Sequence, residues 1–266
     1  MTFSVINVLY LKEIKYMFMK RYYICLISII IFASCSKHQY IVTSMKGEYI
    51  PVKETSHPDK DMAEMVNSYK KLLDERMGEV IGHSTQLMDI GIPESLLTNF
   101  TSDVMYQLDG SYTNGKHIDF SIMNVHGHRA PLPEGDITLG DIFSTYSFEN
   151  ELVLVYLRGN YLTDIFNAYA RRGGAGISGN VKLTIKDKKL ADAKIDGKPI
   201  DNNKIYTIVT LDYLAEGNDA MDALKNAESS TPIGLTLRDY ILNYIRKETR
   251  EGRDISSKLD GRITIR

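Results

Sequence analysis

Three segments indicate the fold class of this chain: LVLVYL at residues 152–157, YLTDIFNAYAR at 161–171 and VKLTI at 181–185. The first and last segments are short apolar runs typical of β-strands, and the middle segment carries its apolar residues at helical spacing. The sequence therefore predicts a strand, a helix and a second strand in close succession.

The same patterns extend to both sides of this unit. Further helices are predicted at residues 61–77, 96–108 and 235–250, and further strands at 79–88, 120–123 and 205–210. The Asp196-Gly197 pair predicts a hairpin turn that joins 191–195 to 205–210. Because strands and helices alternate without the regular rhythm of a doubly wound sheet, the residues predict a mixed α/β or α+β layered domain.

The composition and net charge limit the classes of ligand that the protein is expected to bind. The chain has 266 residues, of which 43% are hydrophobic and 25% charged, and its formal net charge is −2. This is the make-up of one globular domain plus a leader. A broad basic face for a nucleic acid polymer is not expected, whereas a small anion can still be bound by a few placed arginines.

Residues 19–35 have the order of an export signal. A Met-Lys-Arg start precedes an apolar run at 22–32, which ends at Ala33-Ser34-Cys35. The run is short for a membrane span. The junction resembles a bacterial lipoprotein signal, which predicts that Cys35 is acylated and that translation starts at Met17 or Met19. An ordinary secretory signal and an uncleaved amphipathic anchor are the alternatives.

The leader sets the predicted domain organisation and location. Residues 1–35 are predicted to be the signal peptide, 36–60 a polar tether and 61–266 a single domain. The only other cysteine, Cys25, lies inside the signal, so disulfides are not expected in the domain. The protein is predicted to be lipid-anchored in the cell envelope, facing the periplasm or the exterior.

Three segments carry side chains suited to a small polar ligand. Asn124 and Arg129 follow a predicted strand, where an amide and a forked cation can bind a base edge and a phosphate. Phe148 and Asn150 precede the strand at 152–157. Each segment also has a simpler interpretation, since an arginine on a loop is often solvated and a phenylalanine often belongs to a core.

Tyr213 and Asp219 form the third segment, at the end of the strand predicted at 205–210. An aromatic ring there can stack on a base, and a carboxylate can accept hydrogen bonds from both ribose hydroxyls. Asp219 could equally cap a helix that begins near Ala220.

The order of these segments resembles the C-terminal domain of the 5'-nucleotidase and UDP-sugar hydrolase family. That family has Asn-x-Gly-Gly-x-Arg, then Thr-x-x-Asp/Glu, then Pro-Phe-Gly-Asn before a strand, and then Tyr/Phe-Leu-Ala-x-Gly-Gly-Asp-Gly. The matching positions are Asn124 and Arg129, Thr138 and Asp141, Phe148 and Asn150, and the set Tyr213, Leu214, Ala215, Gly217 and Asp219. The resemblance covers residues 81–266.

The resemblance implies a fold and a role for each matched residue. The fold is an α+β single domain, a four-layer α/β/β/α sandwich with mixed sheets. Phe148 and Tyr213 would enclose a nucleobase, Asn124 and Asn150 would contact its edge, Asp219 would hold the ribose and Arg129 would reach a phosphate. The family's metal-bearing catalytic half precedes this domain and closes on the nucleotide.

Several positions depart from the family pattern. Glycine or small residues are replaced at Val125, His126, Glu149, Asn218 and Ala220, which predicts altered loop shapes. The family's other phosphate arginines have no counterpart in residues 88–93. His126 and His128 resemble part of a zinc ligand set, but the companion ligands of a two-metal phosphoesterase do not accompany them, so no metal or other cofactor is predicted on this chain.

Three functions remain open from the sequence. The first is a split 5'-nucleotidase-type phosphohydrolase of nucleotide catabolism, in which a separately encoded metallophosphatase chain supplies a divalent metal pair and this chain recognises the nucleotide without being active alone. The second is a non-catalytic nucleoside- or nucleotide-binding envelope lipoprotein. The third is a structural lipoprotein that has lost its ligand.

Overall fold

The computed structural model describes residues 15–17, 19–24, 42–50 and 59–266. The chain divides into two units, Met1–His57 and Pro58–Arg266. In the first unit, residues 15–17 and 19–24 are helical, and 42–50 carry no helix or strand. The predicted lipid attachment site, Cys35, lies outside the described residues. No helix in the described part of the chain has both the length and the apolar character needed to cross a bilayer.

The second unit contains helices and strands in irregular alternation. The helices are α1 (Lys60–Met77), α2 (Leu96–Tyr106), α3 (Gly110–Thr113), α4 (Leu139–Thr145), α5 (Leu162–Arg172), α6 (Asp212–Ala215) and α7 (Leu237–Arg250). The strands are β1 (Val80–Ser84), β2 (Phe120–Met123), β3 (Gly135–Thr138), β4 (Glu151–Arg158), β5 (Gly176–Ile177), β6 (Val181–Lys186), β7 (Lys189–Ile195), β8 (Lys198–Pro199), β9 (Ile205–Leu211), β10 (Ser229–Thr236) and β11 (Ile263–Ile265). The predicted α+β class is confirmed.

Local sequence explains where the principal helices begin and end. The Ser95 hydroxyl accepts a hydrogen bond from the Thr98 N–H at 3.2 Å, and the Thr98 hydroxyl accepts one from the Ser95 N–H at 2.9 Å. This capping box starts α2. Gly173, in the left-handed region at φ 84°, ends α5. The helices predicted at 61–77, 96–108, 161–171 and 235–250 are confirmed within two residues at each end.

The strands form three sheets, one of which places the ligand-competent loops. Its order is β10-β4-β9-β2-β5, with β9 parallel to β2 and antiparallel to β4. A second sheet has the order β11-β6-β7-β8, with β11 parallel to β6, and β1 pairs with β3 in a third. Both larger sheets are mixed, as predicted.

Helices bury one face of each larger sheet. α2 packs on β2 and β5, and α5 packs on β6 and β7. Phe120 of β2 lies 6.0 Å from the ring centroid of Phe166 and 6.2 Å from that of Tyr206. These buried rings join β2 and β9 to α5, and burial of their apolar area stabilises the fold.

Two strand predictions are wrong in part. The turn at Asp196-Gly197 forms, with φ 51° and 73°, but it leads from β7 into the two-residue β8 rather than into β9. The reason is burial: β9 is apolar and almost wholly buried, and it reaches that burial between β4 and β2. The strand predicted at 79–88 ends at Ser84, and Met88 forms only an isolated bridge with Leu132.

Candidate functional site

The ends of three neighbouring strands bring the predicted ligand residues to one edge of the five-stranded sheet. Leu152, at the start of β4, lies opposite Leu211, at the end of β9. β2 runs parallel to β9, so both end at the same edge. The segment before β4 and those after β2 and β9 therefore meet there, and they contain the six predicted ligand residues Asn124, Arg129, Phe148, Asn150, Tyr213 and Asp219.

Asn124 and Asp219 are in direct contact at this edge. The Asn124 side-chain amide donates a hydrogen bond to Asp219 Oδ2 at 2.7 Å. Asp219 lies in a short turn after α6, in the left-handed region at φ 56° and ψ 34°. Aspartate tolerates this conformation better than most residues. The Asn218 amide donates to the Tyr213 carbonyl at 2.8 Å and so closes the turn.

Asp219 also pairs with Arg172, a residue that sequence reasoning missed. The two guanidinium nitrogens Nη1 and Nη2 both lie 3.3 Å from Asp219 Oδ1. The carboxylate is thus held on one oxygen by Asn124 and on the other by Arg172. Arg172 follows Arg171 in the last turn of α5, where a cation is usually explained by the helix dipole.

The aromatic residues remain accessible. Phe148 is 49% exposed and Tyr213 is 39% exposed, which leaves both rings free to meet a ligand. The Arg129 guanidinium lies over the Phe148 ring, 5.8 Å from its centroid. Asn150 is half-buried, and its backbone carbonyl accepts a hydrogen bond from the Leu237 N–H at 2.9 Å. The structure therefore joins Asn124 to Asp219 and Arg129 to Phe148, while Tyr213 and Asn150 share only the sheet edge.

A cavity of about 430 Å³ opens beside the Asn124, Asp219 and Arg172 group. Its wall is largely apolar and includes Ile90, Ile92, Leu214 and Met221. Concave apolar walls with a few converging polar groups are typical of small-molecule sites.

The Asn124 amide is fixed in one orientation. Its Oδ1 atom is buried and has no hydrogen-bond partner among the described residues. A Cβ atom added at Gly127 would lie 2.6 Å from this oxygen. Gly127 therefore leaves the space that lets the nitrogen of the amide face Asp219.

His128 is a buried residue that contacts both the loop of Asn124 and the segment before Phe148. It is a second residue to which the sequence assigned no role in the site. It is 3% exposed, and its Nε2 lies 2.8 Å from the Thr101 hydroxyl, which also contacts the Tyr146 hydroxyl at 2.7 Å. Its Nδ1 donates to the Val125 carbonyl at 3.3 Å. Burial lowers the pKa of His128 to about 4, so the ring is neutral at pH 7. The cluster connects the loop of Asn124 to that of Phe148.

The two histidines of the His-x-His segment have separate surroundings. His126 is exposed and lines the cavity, whereas His128 is enclosed with Thr101 and Tyr146. Within residues 15–17, 19–24, 42–50 and 59–266, no group of three His, Cys, Asp or Glu side chains is placed to hold a metal ion.

Comparison with known proteins identifies relatives of this domain. A family model described as "5'-nucleotidase, C-terminal domain" matches residues 80–226. The chain is 31% identical to Protein UshA of Yersinia enterocolitica over 135 residues, which are 49% of this chain and 24% of that protein. It is 27% identical to the 5'-nucleotidase of Diplobatis ommata, over 77% of this chain and 41% of that one.

A solved structure shares the fold. The crystal structure of the 5'-nucleotidase precursor from Thermus thermophilus superposes with a TM-score of 0.66 and 20% identity, covering 78% of this chain and 44% of that chain. The present chain thus spans about a quarter of the UshA protein and less than half of the other two relatives.

Proposed function

This chain belongs to the 5'-nucleotidase C-terminal domain family, and from that premise we propose that residues 61–266 form the nucleoside- or nucleotide-recognition part of a 5'-nucleotidase-type phosphohydrolase. The observation that carries the proposal is the Asn124–Asp219–Arg172 group beside the cavity and at the same sheet edge as two accessible aromatic rings.

Each of these groups suits one part of a nucleoside. Phe148 and Tyr213 stack on the base, an interaction that tolerates different bases and contributes about 1–3 kcal/mol per ring. Among the described residues, Asp219 Oδ2 accepts a hydrogen bond from the Asn124 amide alone, so a lone pair remains on it for a ribose hydroxyl. Asn150 contacts the base edge, and Asn124 holds Asp219 in position while its amide borders the ligand.

The proposal places the catalytic metals on another chain. A separately encoded metallophosphatase chain would supply the divalent pair, which stabilises the attacking and leaving oxygens of a phosphate ester. This chain would bind and orient the nucleotide against that site.

Helix α1 provides a surface for such a partner. Six large apolar side chains, each more than half exposed, lie along one face of it and are called here the α1 stripe: Met62, Met65, Val66, Tyr69, Leu72 and Leu73. None of the 18 residues of α1 is buried. Because an amphipathic helix gains most of its stability by burying its apolar face, the α1 stripe is suited to bind another protein.

The proposed location is the cell envelope, with the domain held to a membrane through an acyl chain on Cys35 and facing the periplasm or the exterior. A metabolic label would test this: cells that express the chain are grown with a radioactive fatty acid. We expect label in the wild-type protein and none in Cys35→Ser. Equal label in both would contradict acylation at Cys35.

Ligand recognition is tested by titrating the full chain with adenosine and with AMP in a calorimeter. We expect saturable binding of at least one of them without any added partner. If neither binds, the proposed recognition function is wrong, and a structural lipoprotein without a ligand is favoured.

The split enzyme is tested by recovering the tagged chain from its native envelope. We expect a metallophosphatase chain to accompany the wild type and the control Lys71→Glu, whose charge lies opposite the α1 stripe, but not Leu72→Glu. If no variant recovers such a chain while adenosine or AMP still binds, the alternative of a non-catalytic nucleoside- or nucleotide-binding lipoprotein replaces the split enzyme.

A further inference from the structure

Arg172 has hydrogen-bonding capacity that its present contacts do not use. Both of its Nη atoms approach the same oxygen, Asp219 Oδ1, at 3.3 Å. Charge-assisted bonds of this type are usually about 2.7–2.9 Å long, and a paired guanidinium fork usually engages two oxygens. The side chain is 41% exposed. Its pairing with Asp219 is therefore weak and can be exchanged.

Asp219 does not depend on Arg172 for its position. Its other oxygen accepts the shorter bond of 2.7 Å from Asn124, and its backbone is set by the turn that Asn218 closes. Arg172 can consequently move away from Asp219 while the carboxylate stays in place.

The cavity gives Arg172 a distinct electrostatic role. Among the described residues that line the cavity, Arg172 is the only arginine or lysine. Ile90, Ile92, Leu214 and Met221 give the cavity an apolar wall. Arg129 lies outside the lining, as do Phe148 and Tyr213, and its guanidinium lies over the Phe148 ring. An anion in the cavity therefore meets Arg172 and has Asp219, another anion, close by.

We propose that Arg172, and not Arg129, binds the phosphate of a 5'-nucleotide and makes the site prefer phosphorylated ligands over nucleosides. The inference rests on the proposed recognition function. A nucleoside uses Asp219 and leaves the Arg172 pair in place. A nucleotide draws the fork of Arg172 to two phosphate oxygens, so that the cation lies between the phosphate and the Asp219 carboxylate and offsets their repulsion.

The test compares dissociation constants for AMP and adenosine in the full chain and three variants. We expect the wild type to bind AMP at least about tenfold more tightly than adenosine, because the Arg172 guanidinium makes charge-assisted hydrogen bonds to the phosphate. Arg172→Met should abolish this preference by weakening AMP more than adenosine, and an unchanged midpoint of urea denaturation would show that the variant is folded. The neighbouring Arg171→Met and the competing candidate Arg129→Met should both keep the preference.

The outcomes distinguish a failure of the phosphate role of Arg172 from a failure of the proposed recognition function. Loss of the preference in Arg129→Met but not in Arg172→Met would overturn the inference and return the phosphate to Arg129. An equal loss of AMP and adenosine affinity in Arg172→Met would also overturn it, because Arg172 would then only position Asp219. If the wild type binds adenosine but does not bind AMP more tightly, recognition stands and the phosphate role fails. If it binds neither, the proposed function itself is wrong.

Discussion

Gly127 lies directly beneath the amide of Asn124, and its missing side chain has a measurable consequence. In Gly127→Ala the new Cβ would meet Asn124 Oδ1 at 2.6 Å, which requires the amide to rotate away from Asp219. We expect adenosine affinity to fall by about three- to tenfold, the usual effect of one lost hydrogen bond. Gly110→Ala is the control, since its Cβ would have no neighbour nearer than 3.9 Å. Equal affinity in both variants would show that Asn124 does not position Asp219.

The buried His128 gives the domain a predictable response to acid. Its pKa is about 4 in the folded protein and about 6.5 in an unfolded chain. Below pH 6.5 His128 is protonated in the unfolded chain but stays neutral in the folded protein. The free energy of unfolding therefore falls until the pH reaches about 4. From pH 7 to 5, His128 alone should lower the free energy of unfolding by about 2 kcal/mol.

Urea denaturation at the two pH values measures this contribution. His128→Gln should lose less stability between pH 7 and 5 than the wild type, whatever its stability at pH 7. His117→Gln, at an exposed position, should follow the wild type. A His128→Gln protein with the full acid loss would mean that His128 is not held neutral in the fold.

The sequence identified candidate ligand residues, but it did not identify the side chains that these residues contact in the structure. Asn124 and Asp219 were predicted as ligand residues from motif positions, and the structure brings the two side chains into contact with each other. Arg172 was not found because two arginines at the end of a helix already have an explanation in its dipole. Its pairing depends on the turn at 217–220, in which Asp219 and Ala220 both adopt positive φ. Residue order alone does not fix such a turn.

Arg262 connects the last strand, β11, to α2 and β5 through buried hydrogen bonds. It precedes β11, its side chain is fully buried, and its fork bonds both carboxylate oxygens of Asp103 on α2 at 2.9 Å. Asp260 and the Ile177 carbonyl accept further bonds, the latter at 2.7 Å. Removing Arg262 leaves two partly buried carboxylates, those of Asp103 and Asp260, without the cation that they share.

Arg262→Met should therefore lower the free energy of unfolding by about 3–5 kcal/mol, measured by urea denaturation at pH 7. Arg253→Met removes an exposed arginine paired with Glu248 at 2.6 Å, and it should cost about 1 kcal/mol or less. Comparable losses in the two variants would contradict a structural role for the buried group.

Elements with a clear apolar pattern were predictable, and those stabilised by distant partners were not. α1, α2, α5 and α7 follow helical spacing and were located closely. β10 contains Pro232 and Gly234 and lacks apolar alternation, yet it is the outermost strand of the five-stranded sheet and pairs with β4. An edge strand tolerates proline because one side of it needs no partner. The pairing of β9 was missed for the related reason that a turn signal reports only local order.

The domain combines a proposed ligand site at one end of the five-stranded sheet with an exposed apolar helix, α1. The family assignment and the shared fold account for the arrangement of the sheets. The relatives are longer than this chain, and the proposed partner chain would meet it through the α1 stripe. The proposed recognition by this domain and the proposed hydrolysis by a partner chain can be tested in separate experiments.

The proposed base site is tested by the adenosine affinity of three proteins: the wild-type chain, Phe148→Ala and Phe143→Ala. Both side chains are exposed phenylalanines, at 49% and 37%, but Phe143 lies on α4 under the Arg238 guanidinium, whereas Phe148 lies in the segment before β4 that holds the predicted ligand residues. Base stacking on Phe148 predicts affinity about tenfold or more weaker in Phe148→Ala and unchanged in Phe143→Ala. Saturable adenosine binding that is equal in all three proteins would contradict a base site formed by Phe148.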